Sequence, residues 1–486
     1  HYELRDLDDA ERYFRDAAAI YAAVDDEHHL AMSWNELGLV LRDGGRWDEA
    51  YDTLQRAGAI FERQHAQDAL GIVLGNIGEV ELARGRYAQS MALFERAIGL
   101  MTSRVYAVDY RINMGLLAQA QGNHQAALAH YHAAREVADE LGRRESLALI
   151  HYRQGHALQR LGHAAEARQQ YEVAMQAVED VRVPMRDESL LISLMGRWQL
   201  VYEAAFLLSH EQGDTDAAFS IAERARARAF ADQLARHDAD DPQPVAPIDA
   251  AAARALLPSG TLLLAYFCTG LRGDDYRLLQ AMPPEAQGLR DCLAMPARLV
   301  GMALTRDSVA AFISALNPNV LHSAAGRHDG TRFLGPATLT RLGDALLGPL
   351  AAQIEQAGRL VVIPHGPLHQ VPFAALPDHN GHSLIERIPE VRIAPSATVL
   401  LRVLPERAVL ANQRCLALGY DGGERALRHT EAEARSIAAM FGTQAWIGQP
   451  GMRERLLREA GQFRYLHLAC HGEFDLADPL ASWLEV

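Results

Sequence analysis

The chain has 486 residues, 49% of them apolar and 22% charged, with a formal net charge of −15. That length suits two or three globular domains, and the acidic balance argues against a surface built to neutralise nucleic-acid phosphates. All 47 cationic side chains are arginine, so a Walker-A loop, a pyridoxal-phosphate Schiff base and a protein-kinase site are excluded for these residues.

The Arg-only, Ala-rich usage suggests a GC-rich bacterial genome. Cys268, Cys292, Cys415 and Cys470 show no C-x-x-C spacing, which fits reduced thiols in a cytoplasm better than a disulfide frame or a zinc site. The apolar runs at 262–265 and 360–363 are far too short to cross a bilayer, so no membrane partner is expected. The sequence opens His1-Tyr2-Glu3 without a basic-then-apolar leader, weak grounds for any statement on targeting.

The first half repeats itself. A glycine recurs at Gly38, Gly78, Gly115 and Gly155, a period of 40, 37 and 40 residues. Seven residues after each stands a second glycine: Gly45, Gly85, Gly122 and Gly162. Then come a small residue (Ala50, Ser90, Ala127, Ala167), a large one (Leu54, Phe94, Tyr131, Tyr171) and an alanine (Ala57, Ala97, Ala134, Ala174). The first glycine and the small residues let two antiparallel helices approach, the second glycine ends the first helix, and the large side chain fills the groove. Aromatic residues in this pattern are expected to pack the core. Residues 9–17 look like the second helix of an earlier, partial repeat, and residues 198–235 like a longer final pair turning near Gly213-Asp214. The pattern resembles the tetratricopeptide repeat, with helices lengthened beyond its usual 34 residues. Such a solenoid predicts a surface that holds a protein or peptide. Arg226, in the run Ala225-Arg226-Ala227-Arg228, reads as part of a solvated helix face.

Residues 237–248 are acidic and proline-rich and read as a linker between an array over 1–236 and a second domain over 249–486. Beyond it, strands are predicted at 261–267, 359–363, 416–419 and 465–469, with helices around 291–304 and 339–356. Strands alternating with helices imply an α/β domain with a mainly parallel sheet and chemistry at its strands' C-terminal ends. His365 and His369 have the spacing of a helical metal pair, but Gly366 and Pro367 preclude a regular helix, so the pair reads as a loop shaping a cleft and no metal or cofactor is expected. A helix starting after Thr430, with Glu433 completing a capping box and Gly442 closing it, makes His429-Thr430-Glu431 structural first and substrate-near second.

The segment Tyr465-Leu466-His467-Leu468-Ala469-Cys470-His471-Gly472 carries a strand straight into a histidine and a glycine. A histidine there can act as general base or acid beside an exposed backbone amide, although alone the pattern favours a capped or buried structural histidine. This segment is similar to the H-x-A-[TC]-H-G signature of the CHAT family, caspase-like domains often found after tetratricopeptide arrays. Other pieces follow in the family's order: the strand and loop at 360–376, Ile393-Ala394-Pro395-Ser396-Ala397, Thr430-Glu431-Ala432-Glu433, and Asp478-Pro479-Leu480.

The resemblance implies a cysteine endopeptidase whose His471 activates a thiolate and whose Gly472 amide serves the oxyanion hole. The family's nucleophile follows the next core strand in a segment like S-A-C, which is not among these residues; it is expected beyond Val486, and the residues given would then be inactive alone. Cys470 is a poor substitute, because neighbours on an extended strand point to opposite faces. His467 is expected on the packing side, and Cys268, Cys292 and Cys415 in the core. The alternative is a non-enzymatic repeat scaffold with a degenerate CHAT domain mediating protein–protein interaction.

Overall fold

The computed structural model describes residues 7–182, 188–226, 245–271, 275–325, 335–403, 413–421, 427, 429–448, 452–470, 472–473 and 483–484. Eleven antiparallel helices open the chain: α1 Leu7–Ala23, α2 Glu27–Asp43, α3 Trp47–Arg63, α4 Gln67–Ala83, α5 Tyr87–Leu100, α6 Val105–Ala120, α7 His124–Leu141, α8 Arg144–Arg160, α9 Ala164–Arg182, α10 Glu188–Glu211 and α11 Thr215–Arg226.

The glycine rule holds four times. A Cβ on Gly38 would lie 2.6 Å from Leu54, on Gly78 2.8 Å from Phe94, on Gly115 2.3 Å from Tyr131 and on Gly155 2.6 Å from Tyr171. No real methyl fits at those distances, so each large side chain owes its site to the missing Cβ. The four large residues are fully buried or within 1% of it, and so are the four alanines that follow them. Gly45, Gly85, Gly122 and Gly162 all have φ between +74° and +83°. The next N–H reaches back over the turn, as from Arg46 to Leu41 O (2.9 Å) and Arg86 to Glu81 O (2.8 Å), satisfying carbonyls the helix end would otherwise orphan. The final pair is α10 and α11, turning at Gly213 (φ +73°), with Asp214 capping Ala217 N at 3.0 Å. It begins earlier than predicted, and its far end at Ala235 lies outside the described residues.

The second half contains α12 Ala250–Leu256, β1 Thr261–Thr269, α13 Asp275–Ala281, α14 Gln287–Leu293, β2 Arg298–Leu304, β3 Val309–Ile313, α15 Pro318–Ala325, α16 Pro336–Leu346, α17 Ala351–Gln356, β4 Arg359–Ile363, α18 Leu384–Arg387 and β5 Val391–Ile393. Then follow β6 Cys415–Gly419, α19 Thr430–Met440, β7 Trp446–Ile447, α20 Met452–Glu459, β8 Tyr465–Ala469, β9 Gly472–Glu473 and β10 Trp483–Leu484. The described residues up to Thr398 form one compact unit and those from Val399 a second.

In the first unit five strands run in the order β3-β2-β1-β4-β5. β1 is parallel to β4, and β4 to β5, while β1–β2 and β2–β3 are antiparallel. All nine residues of β1 are buried, which is why it read as a continuous apolar run. The predicted helix over 291–304 is a correction. It stops at Leu293, and after Pro296 the residues from Leu299 to Leu304 form the buried strand β2. Proline removes a helix donor, and β-sheet partners on both sides then outweigh helical propensity. Gly348 and Pro349 likewise split the predicted helix over 339–356 into α16, a tight turn and α17.

In the second unit β7-β6-β8 form a parallel sheet with β6 central. α19 lies on it through Ala417, Ala434 and Ala438.

Candidate active site

β6 and β8 end side by side: Gly419 pairs with Ala469, and Tyr420 N donates to Ala469 O at 3.0 Å. The start of α19 lies against the same strand end. A Cβ on Gly419 would meet Thr430 O at 2.7 Å and Ala434 Cβ at 3.0 Å. Only glycine allows that approach, which brings the N-terminal turn of an 11-residue helix to the carboxyl edge of the sheet. The close contact also corrects the capping expectation. Thr430 is the first helical residue and buried, His429 occupies the cap position, and no side chain among the described residues caps this end. Gly442 does terminate the helix region at φ +64°.

His467, on β8, faces α19 with Nε2 3.0 Å from Glu433 Oε1. Cys470 follows the strand, half-buried. Gly472 is exposed and pairs with Leu484 in the short β9–β10 ladder. His471 itself lies outside the described residues.

The first unit holds a second group of chemistry-bearing side chains. β4 ends at Ile363, and the chain turns through Gly366 (φ +55°) into a tight helical turn over Gly366–Gln370 that carries His369. His365 Nδ1 accepts from Cys268 N at 3.0 Å, and its ring stacks on Phe267 at 4.5 Å. Burial, with Arg226 and His369 adding like charge, holds His365 well below the usual histidine range. It is therefore a neutral acceptor. Burial pushes the Cys268 thiol up to about 12, so it is no nucleophile near neutrality. Burial also raises the Cys292 and Cys415 thiols. These three cysteines are core residues, as the sequence suggests, although Cys292 sits on α14.

Arg226 is a further correction. Its side chain is 3% exposed, 3.8 Å from the fully buried Glu223, donates to Tyr266 O, and lies 5.5 Å from the Phe267 ring centroid. Burial pulls it down to about 10, with Glu223 partly compensating. Glu223 Oε2 accepts from Thr398 N and Oγ1, both at 2.9 Å. On α10, Glu203 Oε2 accepts from Gly270 N at 2.9 Å. Burial pushes Glu203 up to about 7, opposed by the Gly270 amide and Gln199. The last helix pair thus grips β1 and its flanks through buried charge. Sequence reasoning missed all three groups. The available signal was a lone Glu203 within the apolar run from Leu200 to Leu208.

The sequence matches the family model of the tetratricopeptide repeat over residues 30–103 and 106–180, and that of the CHAT domain over residues 336–485. The chain is a tetratricopeptide array followed by a CHAT domain. The CHAT match begins at α16, so β1–β3 precede it although β1 pairs with β4 inside it. No curated protein matches. Among solved structures, BtubC from P. vanneervenii is similar at 14% identity over 51% of this chain and 98% of that one, TM-score 0.39. A Rap protein complexed with competence and sporulation factor is 18% identical over 43% of this chain and 56% of its own, TM-score 0.34. Apo RapI is 14% identical over 49% and 66%, TM-score 0.37. The tetratricopeptide array is a module for protein–protein interaction. No helix among the described residues is long and apolar enough to cross a membrane.

Proposed function

We propose that this chain belongs to a cytoplasmic cysteine endopeptidase, with the array as its partner-binding and regulatory module. The observation that carries the reading is the place of the H-G pair in the sequence: it comes one residue after the parallel strand β8, inside the span that matches the CHAT domain. In this reading His471 is the general base and the Gly472 amide an oxyanion donor, and the carboxyl end of β8, which they follow in sequence, is where α/β sheets carry their chemistry. No segment like S-A-C occurs in the sequence, and none of its four cysteines is taken as the nucleophile in this reading. The high thiol pKa of Cys268, raised by burial, supports looking for the nucleophile elsewhere. Three buried free cysteines suit a reducing compartment. The substrate is a protein, and neither nucleic acid nor a membrane takes part.

The test uses the full-length gene product. Wild type and His471→Ala are incubated with a denatured protein mixture, and new N-termini are mapped by mass spectrometry. Cleavages present only in wild type are the expected result. Identical maps, with the array saturated by its partner, would leave a protein-binding scaffold in place of a peptidase.

A further inference from the structure

The link between β1 and β2 leaves the sheet and lies along the repeat array. It consists of α13, a tight turn over Pro284–Ala286 and α14. Met282, Ala286, Leu289 and Cys292 are buried in one core with Trp47, Leu82, Tyr110 and Leu117 of the array.

The contacts advance one repeat at a time. In the first repeat Trp47 Nε1 donates to Ala281 O at 3.3 Å, and a Cβ on Gly45 would touch the Ala281 methyl at 3.0 Å. In the second, a Cβ on Gly85 would sit 2.4 Å from the Glu285 carbonyl carbon, and Leu289 N donates to Tyr87 Oη at 3.2 Å. In the third, Gly288 presses on the last turn of α6, where its own Cβ would be 2.1 Å from Ala120 O. In the fourth, Arg153 Nη1 donates to Cys292 O at 3.4 Å.

Residues 281, 285, 288 and 292 therefore meet successive repeats at intervals of three or four. The polar grips all fall on main-chain groups of the segment, while its side chains supply small residues at the tight points and apolar ones between them. That is how a groove recognises a peptide rather than how two rigid domains abut.

We propose that this face of the array is a peptide-binding surface occupied in cis by residues 275–293. Its partner in trans is a protein segment of two short helical turns, small at the positions of Ala281 and Gly288 and apolar at those of Met282, Ala286 and Leu289. The tethered copy holds the surface at high effective concentration, so an outside segment binds by displacing it. Displacement frees the link that joins β1 to β2. The inference concerns the array and stands independently of peptidase activity.

The probe is a fluorescein-labelled synthetic peptide with the sequence of residues 275–293, followed by anisotropy. The proteins are the intact chain and a version with residues 276–292 replaced by a Gly/Ser linker of equal length. The replaced chain is expected to bind at least about tenfold more tightly than the intact one. Gly85→Asp in the replaced chain should abolish that binding. No binding to a replaced chain whose helical circular dichroism is intact overturns the proposal, as does equal binding to both. Should the replaced chain fail to fold, Gly288→Val in the intact chain takes its place. Its added side chain meets Ala120 O and expels the segment without deleting it, so absence of any gain in peptide affinity overturns the proposal equally.

Discussion

Within the repeats, helix meets helix through a glycine opposed by one large side chain, and the arrangement recurs four times. Where the last pair meets β1, the contact is a set of buried ionisable groups: Glu203, Glu223 and Arg226. The first interface is held by shape and apolar area, which any sequence of the right volumes satisfies. The second is held by groups that must each find a partner, and burial makes any failure expensive. Repetition makes the first robust, whereas the second exists once and is conditional on protonation and on every member staying in place.

The contrast can be broken most sharply at Gly115. Gly115→Val drives a branched side chain into Tyr131, which has nowhere to go, and is expected to cost about 3 kcal/mol or more. Loss of helical circular dichroism at a lower midpoint in urea checks this. A midpoint within error of wild type would mean the helix pair has slack that the close contact denies.

Arg226→Ala should cost nearly as much, about 3 kcal/mol, because Glu223 keeps a buried charge without its cation. The double variant Arg226→Met, Glu223→Gln should recover most of that loss, since Gln still accepts from Thr398. If the double variant is no better than the single one in thermal unfolding, the pair is not the reason Arg226 matters.

The effect of Glu203 shows only when pH is varied, and its sign is fixed. Burial raises its folded pKa to about 7 from an ordinary 4.5, so the folded state holds a proton that the unfolded state has lost. The stability this represents is present at pH 4.5 and below and disappears as pH rises through about 7. Wild type should therefore lose up to about 3 kcal/mol between pH 4.5 and 8 that Glu203→Gln does not lose. Parallel melting-temperature profiles for the two proteins across that range would rule out a raised Glu203.

Legibility follows the same division. Four core strands and the array's helix pairs could be read because their causes are periodic: glycine against bulk every 37–40 residues, and apolar runs bounded by turns. The strand β2 hid behind helical composition, because what makes Leu299–Leu304 extended is a pair of neighbouring strands and not its own propensity. Arg226 reads as exposed in any helix-face count, and only the arrival of β1 from 40 residues downstream buries it. Thr430 offered a cap but is pinned by a backbone approach at Gly419, a distant glycine whose purpose no local window reveals. Of the candidate site, the strand β8 and the Gly472 backbone in the β9–β10 ladder are described, and His471 lies outside the described residues.

The link across the repeats also sets an order of events during folding. Helices of the array close on partners close in sequence, as between Asn76 and Asn35, 41 residues apart. The link closes over 234 residues from Trp47, 202 from Tyr87 and 139 from Arg153. Local contacts form early, whereas closing long loops costs entropy that is recovered only once the distant surface exists. During synthesis the array emerges first and can be complete before residue 275 leaves the ribosome. Pulsed hydrogen exchange should then protect array amides ahead of the Leu289 amide; simultaneous protection would mean the two assemble in one step. With the staggered order, every new chain passes through an interval in which the array stands assembled and its groove is vacant, open to whichever segment reaches it first.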